Sequence, residues 1–311
     1  ASRGVKLRVA VTDNASDDAT VLLVRDWAAR QAAANAGFSF EELPADTLEP
    51  PRATLTLLRS GYNGGYAYGV NSGLRMLLRD PALDLFWVLN PDCVVPPETA
   101  ARYAAHGADG NFALMSGRTV YCEEPAQIQT DGGRVSRWTG VCSSVNAGRA
   151  PAGTAMPDPA TLDFVTGGNL VASRRFIDRV GLMPEEYFLY YEEVEWAFRR
   201  GQLPLRLAPG AVVRHHGGTA IGSGTASRRA TPFANYFNTR NRLRFLRRNR
   251  PWAIPFGLAH ALAKAGQLAL TGAGAEAKAV LAGALDRRPP AAIRDRIAPG
   301  KARAAAFGED C

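Results

Sequence analysis

The strongest constraint on the fold is an alternation that runs through the first ninety residues. Residues 5–11 are alternating and β-branched, the pattern of a strand, and end at Thr12-Asp13-Asn14. A helix is expected next, with Ser16 or Asp17 as its cap and Val21, Leu22, Val24 and Trp27 as its apolar stripe. A second strand, 53–58, runs into a glycine-rich loop at 60–65, and a helix with Leu74, Leu77 and Leu78 on one side follows. A third strand, 83–89, is almost continuously apolar, as a strand buried on both faces would be. It ends at Asn90-Pro91-Asp92, and Pro96-Pro97 then opens another helix. Strand, helix, strand, helix, strand builds a parallel sheet covered on both sides. Ligands of such sheets bind outside the carboxyl ends of the strands. Asp13 and Asp92 both stand at such ends, so two acids far apart along the chain are expected in one crevice.

The remainder changes character twice. Residues 111–170 carry short β-like pieces and the turn residues Asp131-Gly132-Gly133, Gly140, Gly148 and Pro151, which reads as an irregular, mostly antiparallel insertion. Residues 164–172 read as a strand pair around Gly167-Gly168. A helix at 174–180 ends at Gly181, and another starts near Tyr191 with Val194, Trp196, Ala197 and Phe198. Strands at 203–213 and a Gly/Ser/Thr loop at 217–227 complete residues 1–230. From Pro232 the chain reads as helical: 231–311 is a basic and alanine-rich region. Arg240, Arg242, Arg244, Arg247, Arg248 and Arg250 fall within eleven positions there, interleaved with Leu243, Phe245 and Leu246.

Charge narrows the partners. Lys and Arg number 37 against 29 Asp and Glu, a formal net charge of +8, which favours nucleic acid, anionic lipid or phosphorylated small molecules. Cys93, Cys122, Cys142 and Cys311 form no CxxC pair and match no zinc module, and four are too few for a disulfide scaffold in 311 residues. A reducing cytosol is the expected setting. No signal peptide opens the sequence, and no run of 18 apolar residues predicts a membrane span.

Four groups of residues point to chemistry. A carboxylate at a strand end, as in Asn90-Pro91-Asp92, can ligate Mg²⁺ or Mn²⁺, and the ion in turn a diphosphate. The same three residues also favour a plain turn. Glu192-Glu193-Val194-Glu195 at a helix start suits the helix dipole, and Glu193 among aromatics could serve as a general base with a raised pKa. His215 could join Asp92 on the metal, or be structural. The loop and helix start from Asn63 to Gly73, including Gly65 and Asn71, allow close backbone approach to a nucleotide.

Taken in order, these blocks resemble inverting family 2 glycosyltransferases with the GT-A fold, especially rhamnosyltransferase-like members. The resemblance rests on 11–17, 63–74, 89–92, and Phe164-Val165-Thr166-Gly167-Gly168-Asn169 through Tyr190-Tyr191-Glu192-Glu193-Val194-Glu195, and it covers about residues 5 to 250. His215 with Gly218 fits a late histidine-glycine element, and Asn241-Arg242 fits the helix that follows. The resemblance implies a central, mostly parallel sheet flanked by helices, with a helical C-terminal extension. It implies that Asp13 accepts a hydrogen bond from a pyrimidine and that Asp92 is the metal acid. Glu193 is then the base, and Gly167 and Gly168 shape the sugar pocket. Arg240 and Arg242 fall near the diphosphate. The donor implied is a dTDP- or UDP-sugar, with dTDP-rhamnose foremost, and the acceptor a glycan or lipid-linked hydroxyl. The sequence departs from the pattern at Asn90, where a first acid is usual, and at Glu193, where Asp is commoner. The family's opening strand and helix have no counterpart ahead of Asp13.

The arginine-rich helix fits diphosphate binding, contact with anionic lipid through 240–285 on the inner face of a membrane, or a solvated basic face. No RRM, KH or helix-turn-helix signature accompanies the arginines, so nucleic acid is not expected. The competing readings are a non-catalytic sugar-nucleotide or glycan binding protein on the same fold, and a basic membrane- or nucleic-acid-binding protein with a degenerate α/β core.

Overall fold

A computed structural model describes residues 4–123, 126–216 and 229–308. The chain opens with β1 (Val9–Asp13), α1 (Thr20–Ala34), β2 (Phe40–Pro44), β3 (Leu55–Arg59) and α2 (Tyr66–Leu77). It continues through β4 (Leu85–Leu89), β5 (Cys93–Val94), α3 (Thr99–Gly107), β6 (Leu114–Tyr121), β7 (Ile128–Thr130), β8 (Gly133–Val135) and β9 (Cys142–Ser144). Next come β10 (Asn169–Ser173), α4 (Arg174–Val180), α5 (Glu192–Phe198) and β11 (Arg206–His215). The chain finishes with α6 (Pro232–Asn249), α7 (Ile254–Leu270), α8 (Gly274–Ala284), α9 (Ala291–Arg294) and α10 (Lys301–Phe307).

A parallel sheet in the order β1-β3-β2 lies beside a mixed sheet in the order β4-β10-β6-β11-β5, with β7 on β6. The fold class expected from the sequence is present, with two adjustments. Strand β2 lies where no strand was expected. The third expected strand, β4, is not in the first sheet: it pairs antiparallel with β10, Leu89 against Asn169. Only alternate residues of β4, Phe86 and Val88, are buried. β10 is the strand enclosed on both faces, with every residue buried, because its side chains are small or apolar. The expected pairing around Gly167-Gly168 is absent; Phe164 makes only an isolated bridge to Gly133.

Local signals fix the helix ends. The Ser173 hydroxyl accepts from Phe176 N at 3.1 Å and caps α4, while Gly181 at φ 81° ends it. Thr231 accepts from Ala234 N at 3.3 Å and Pro232 occupies the first turn of α6. In α1, neither Ser16 nor Asp17 is the cap; of the expected stripe Val21 is buried, while Leu22 and Trp27 are 61% and 45% exposed, and Ala28 is the other buried residue. The insertion is antiparallel as expected, through β6–β7 and β8–β9.

One core joins the sheet layer to the C-terminal helices. Leu243, Phe245 and Leu246 of α6 and Ala261 and Ala265 of α7 share it with Phe86, Leu170 and Trp196. No described helix is long and apolar enough to cross a membrane. The thiols of Cys93, Cys122 and Cys142 are free; Cys311 lies outside the described residues.

Candidate active site

Strand pairing brings Asp92 to His215. β5 runs antiparallel to the end of β11, with Cys93 opposite His215, so the preceding Asp92 reaches the imidazole. Asp92 Oδ1 and His215 Nε2 are 3.0 Å apart. The other ring nitrogen, Nδ1, faces Gln129 Oε1 at 2.8 Å. An amide oxygen only accepts, so Nδ1 carries a proton, and in the neutral ring Nε2 would turn its lone pair toward the carboxylate. Two acceptors at that distance need a proton or a cation between them. Cys93 completes a trio whose ligand atoms lie within 4.8 Å of one another. Its thiol is pushed up to about 12 by burial and by the Asp92 charge, so it stays a neutral thiol. A carboxylate and an imidazole beside a protonated thiol fit a hard divalent ion such as Mg²⁺ or Mn²⁺. Asn90 stands by: its side-chain nitrogen is 3.5 Å from His215 Nε2, and its backbone N–H donates to Gly168 O at 3.0 Å. A methyl group on Gly168 would sit 3.0 Å from the Asn90 amide nitrogen, so the glycine permits that close approach.

A strained turn aims Glu193. Phe188, Tyr190 and Tyr191 hold φ of 63°, 69° and 74°, left-handed values that cost roughly 1 kcal/mol or more each in residues with a Cβ. Asn241 on α6, fully buried, holds the turn: its Nδ2 donates to Tyr187 O and Leu189 O at 2.7 Å each and to Tyr190 O at 3.1 Å. Arg240 adds a bond to Tyr187 O at 3.3 Å. α5 begins directly after the turn, so its first residues are Glu192 and Glu193. Glu193 lies beside Gly167, where an added Cβ would be 3.4 Å from its Cγ. Burial raises the Glu193 pKa, partly offset by backbone N–H groups at the helix start. Glu192 is 4% exposed, and its Oε2 has no hydrogen-bond partner among the described residues. Burial and then the Glu193 charge drive its pKa well above the carboxylate range.

Tyr66 ties the two ends together. Its hydroxyl donates to Gly167 O at 2.6 Å. The hydroxyl's pKa is driven well up by burial and then by the carboxyl groups of Glu192, Glu193 and, last, Asp92. One hydroxyl therefore feels the acids of both groups. The end of β1 joins through Asn14, which donates to Gly65 O at 2.9 Å and accepts from Gly64 N at 3.1 Å. Tyr66 N in turn donates to Phe188 O at 2.7 Å. Asp13, next to Asn14, is 3% exposed, accepts from Ser16 N at 3.1 Å and pairs with Arg59 at 3.2 Å.

Other expected residues are bound to the protein itself. Asn63 accepts from Asn14 and from Gly65 N, bracing its loop. Gly65, at φ 91°, is where Phe188 packs, and any Cβ would collide with that residue. Asn71 is buried; it donates to Met183 O at 2.8 Å and to Glu185 at 2.7 Å and accepts from Met183 N, anchoring α2. Arg240 donates to Ala306 O at 2.5 Å and lies over the Phe237 ring. Arg242 faces His260 at 3.0 Å and shares its surroundings with Tyr191 and Cys142, not with Asp92. Gly217 and Gly218, the rest of the histidine-glycine element, lie outside the described residues. Tyr66, Gln129 and Cys93 escaped the sequence reading, although Tyr66 and Cys93 directly adjoin flagged motifs.

No protein-family model matches the chain. A curated relative, the low-salt glycan biosynthesis hexosyltransferase Agl10 of Haloferax volcanii, is 27% identical over 142 residues, covering 45% of this chain and 44% of that protein. The match thus spans less than half of either protein. Among solved structures, GalNAc-T7 with UDP, GalNAc and Mn²⁺ aligns with a TM-score of 0.53 at 13% identity, over 79% of this chain and 43% of that one. The mannosyltransferase PcManGT from Pyrobaculum calidifontis, in complex with GDP-Man and Mn²⁺, aligns with a TM-score of 0.50 at 17% identity, over 92% and 79%. These likenesses concern the fold: the chain has the GT-A nucleotide-diphospho-sugar transferase fold.

Proposed function

We propose that this chain is an inverting glycosyltransferase, moving a hexose from a nucleoside diphosphate to a glycan or lipid-linked hydroxyl. The observation that carries the reading is the Gly167-Gly168 backbone, which Glu193 borders at Gly167, while Asn90, two positions before Asp92, and Cys93, one after it, border Gly168. A cation-binding group and a carboxyl able to take a proton thus flank the Gly167-Gly168 backbone. Glu193 takes the proton of the acceptor hydroxyl, whose oxygen attacks the anomeric carbon opposite the departing diphosphate. Asp92 and His215 would hold Mg²⁺ or Mn²⁺, and such an ion neutralises charge on the leaving diphosphate. Asp13 retains lone pairs beyond its bonds to Ser16 and Arg59, enough to accept from a pyrimidine N–H. In this reading residues 1–230 carry the donor site and base, and 231–311 hold the base in place. dTDP-rhamnose is the first donor to try, on the resemblance of the 236–245 helix to rhamnosyltransferase-like members, and UDP-sugars are second. The relatives support the class: one is called a hexosyltransferase, and two fold neighbours were solved with a nucleotide or nucleotide-sugar and Mn²⁺.

The test is a thermal-shift panel of nucleotide sugars with and without Mn²⁺, followed by transfer assays of the wild type and Glu193→Gln. A donor that raises the melting temperature only with the metal, and turnover lost in Glu193→Gln with donor binding kept, support the proposal. Donor binding without transfer in the wild type would favour the non-catalytic binding protein.

A further inference from the structure

Tyr191, two residues before Glu193, donates its hydroxyl to Gly140 O, and Gly140 lies against the stem of Arg242. Arg242 is 5% exposed, no carboxylate pairs with it among the described residues, and its Nε has no hydrogen-bond partner there. A buried guanidinium without a counter-charge is costly, so the arrangement lacks an anion. Its Nη1 faces His260 Nδ1 at 3.0 Å. A guanidinium only donates, so Nδ1 is the acceptor and the ring proton sits on Nε2 of this partly exposed histidine.

An aromatic wall adjoins this pair. Phe256 lies one turn before His260 on α7, hence on the same face. Its ring meets Trp138 edge-on at 5.0 Å, and Trp138 meets Trp252 at 5.1 Å. All three are about half exposed, at 47%, 49% and 49%. Trp138 stands two residues before Gly140, whose carbonyl accepts the Tyr191 hydroxyl at 2.8 Å. Gly140 also lies beside the Arg242 stem, so the exposed wall, Arg242 and Tyr191 meet at this glycine. No Asp or Glu occurs from Trp196 to Ala275, so α6 and α7 themselves offer Arg242 and His260 no carboxylate.

We propose that this surface is the acceptor subsite, and that the acceptor is a glycan bearing a carboxylate or phosphate. Arg242 and the His260 Nε2–H take the acidic group, and the Trp138–Trp252–Phe256 wall takes the apolar face of a sugar ring. The proposal rests on the glycosyltransferase reading and gives Arg242 to the acceptor in place of the donor diphosphate.

Calorimetric titration of the full chain with tri-galacturonate, galactose 6-phosphate and neutral galactotriose tests it. Binding of dTDP and UDP with Mn²⁺ is measured in the same series, so failure of the donor reading shows separately. The wild type should bind the acidic sugars at least about tenfold more tightly than the neutral one. Arg242→Gln, and His260→Ala at the rim in case the buried variant misfolds, should each remove that preference. Trp252→Ala should weaken binding of the acidic sugars about fivefold. Nucleotide affinity should stay within about twofold of wild type throughout. Equal affinity for acidic and neutral sugars, binding of none, or loss of nucleotide binding in Arg242→Gln overturns the proposal. So does saturable binding to phosphatidylglycerol vesicles that Trp252→Ala abolishes, since the wall would then face a membrane.

Discussion

Glu192 and Glu193 are adjacent in sequence and differ in what surrounds them. Glu193 borders Gly167, whereas Glu192 is sealed in, with one oxygen unpaired among the described residues. Glu193→Gln should lower kcat by about 10²–10⁴-fold with donor affinity unchanged, as loss of a general base does; initial-rate assays and nucleotide titration check this. A raised pKa keeps the base protonated to higher pH, so the acid limb of the rate profile should lie above the ordinary glutamate value of about 4.3. For stability the sign follows from linkage. The buried Glu192 binds a proton more readily in the folded state, so its stabilisation is full below the unfolded value and falls as pH rises through the folded one. Melting curves between pH 4 and pH 9 should therefore flatten at the alkaline end in Glu192→Gln, and an unchanged profile would refute the assignment. Asp92→Asn should abolish Mn²⁺ binding measured by calorimetry while leaving the fold intact, because Asp92 is partly exposed. The acids were legible in the sequence because strand ends and helix starts are local signals. Asn63, Asn71 and Arg242 were not. A polar residue in a glycine-rich loop looks the same whether its partner is a nucleotide or, as for Asn71, a carbonyl at Met183.

At the scale of elements, α6 acts on the site through Asn241. Its amide serves three carbonyls; Tyr187 O keeps Arg240 and Leu189 N as donors, but Asn241→Leu would take the side-chain donor from Leu189 O in the interior. One unmet buried group costs about 1–3 kcal/mol, so a loss of that size in urea unfolding is expected, with turnover falling further than stability. The helices were readable from caps and periodicity: Pro232, Ser173 and Gly181 are where their roles require. β2 was not, because Phe-Glu-Glu-Leu-Pro shows two acids where a strand pattern wants apolar residues. Both acids have partners from other elements: Glu41 accepts from Thr56 at 2.7 Å and Glu42 from Arg25 at 2.8 Å. The arginine cluster misled in the opposite direction. Arg240 and Arg242 are buried, while Arg244 and Arg248 pair with Asp286 and Glu186 at the surface.

Across the molecule, the expected division at residue 230 separates a sheet layer from a helical layer that share one core. Fully burying a large apolar side chain contributes about 1.5–3 kcal/mol, against a typical total stability of about 5–15 kcal/mol. Removing 231–311 takes away Phe237, Leu243, Phe245 and Leu246, all buried, so residues 1–230 alone should not fold. Circular dichroism and protease resistance of that fragment check this; a cooperative melt would contradict it. The order of elements was legible. The seating of β4 against β10 was not, since its partner lies some eighty residues downstream and no local pattern names it. The left-handed turn at 188–191 carries a consequence for biosynthesis. A ribosome delivers those aromatics fifty positions ahead of Asn241, so the nascent polypeptide holds every acid of the pair before it owns the latch that sets their direction. Competence would then wait until the distant helix docks.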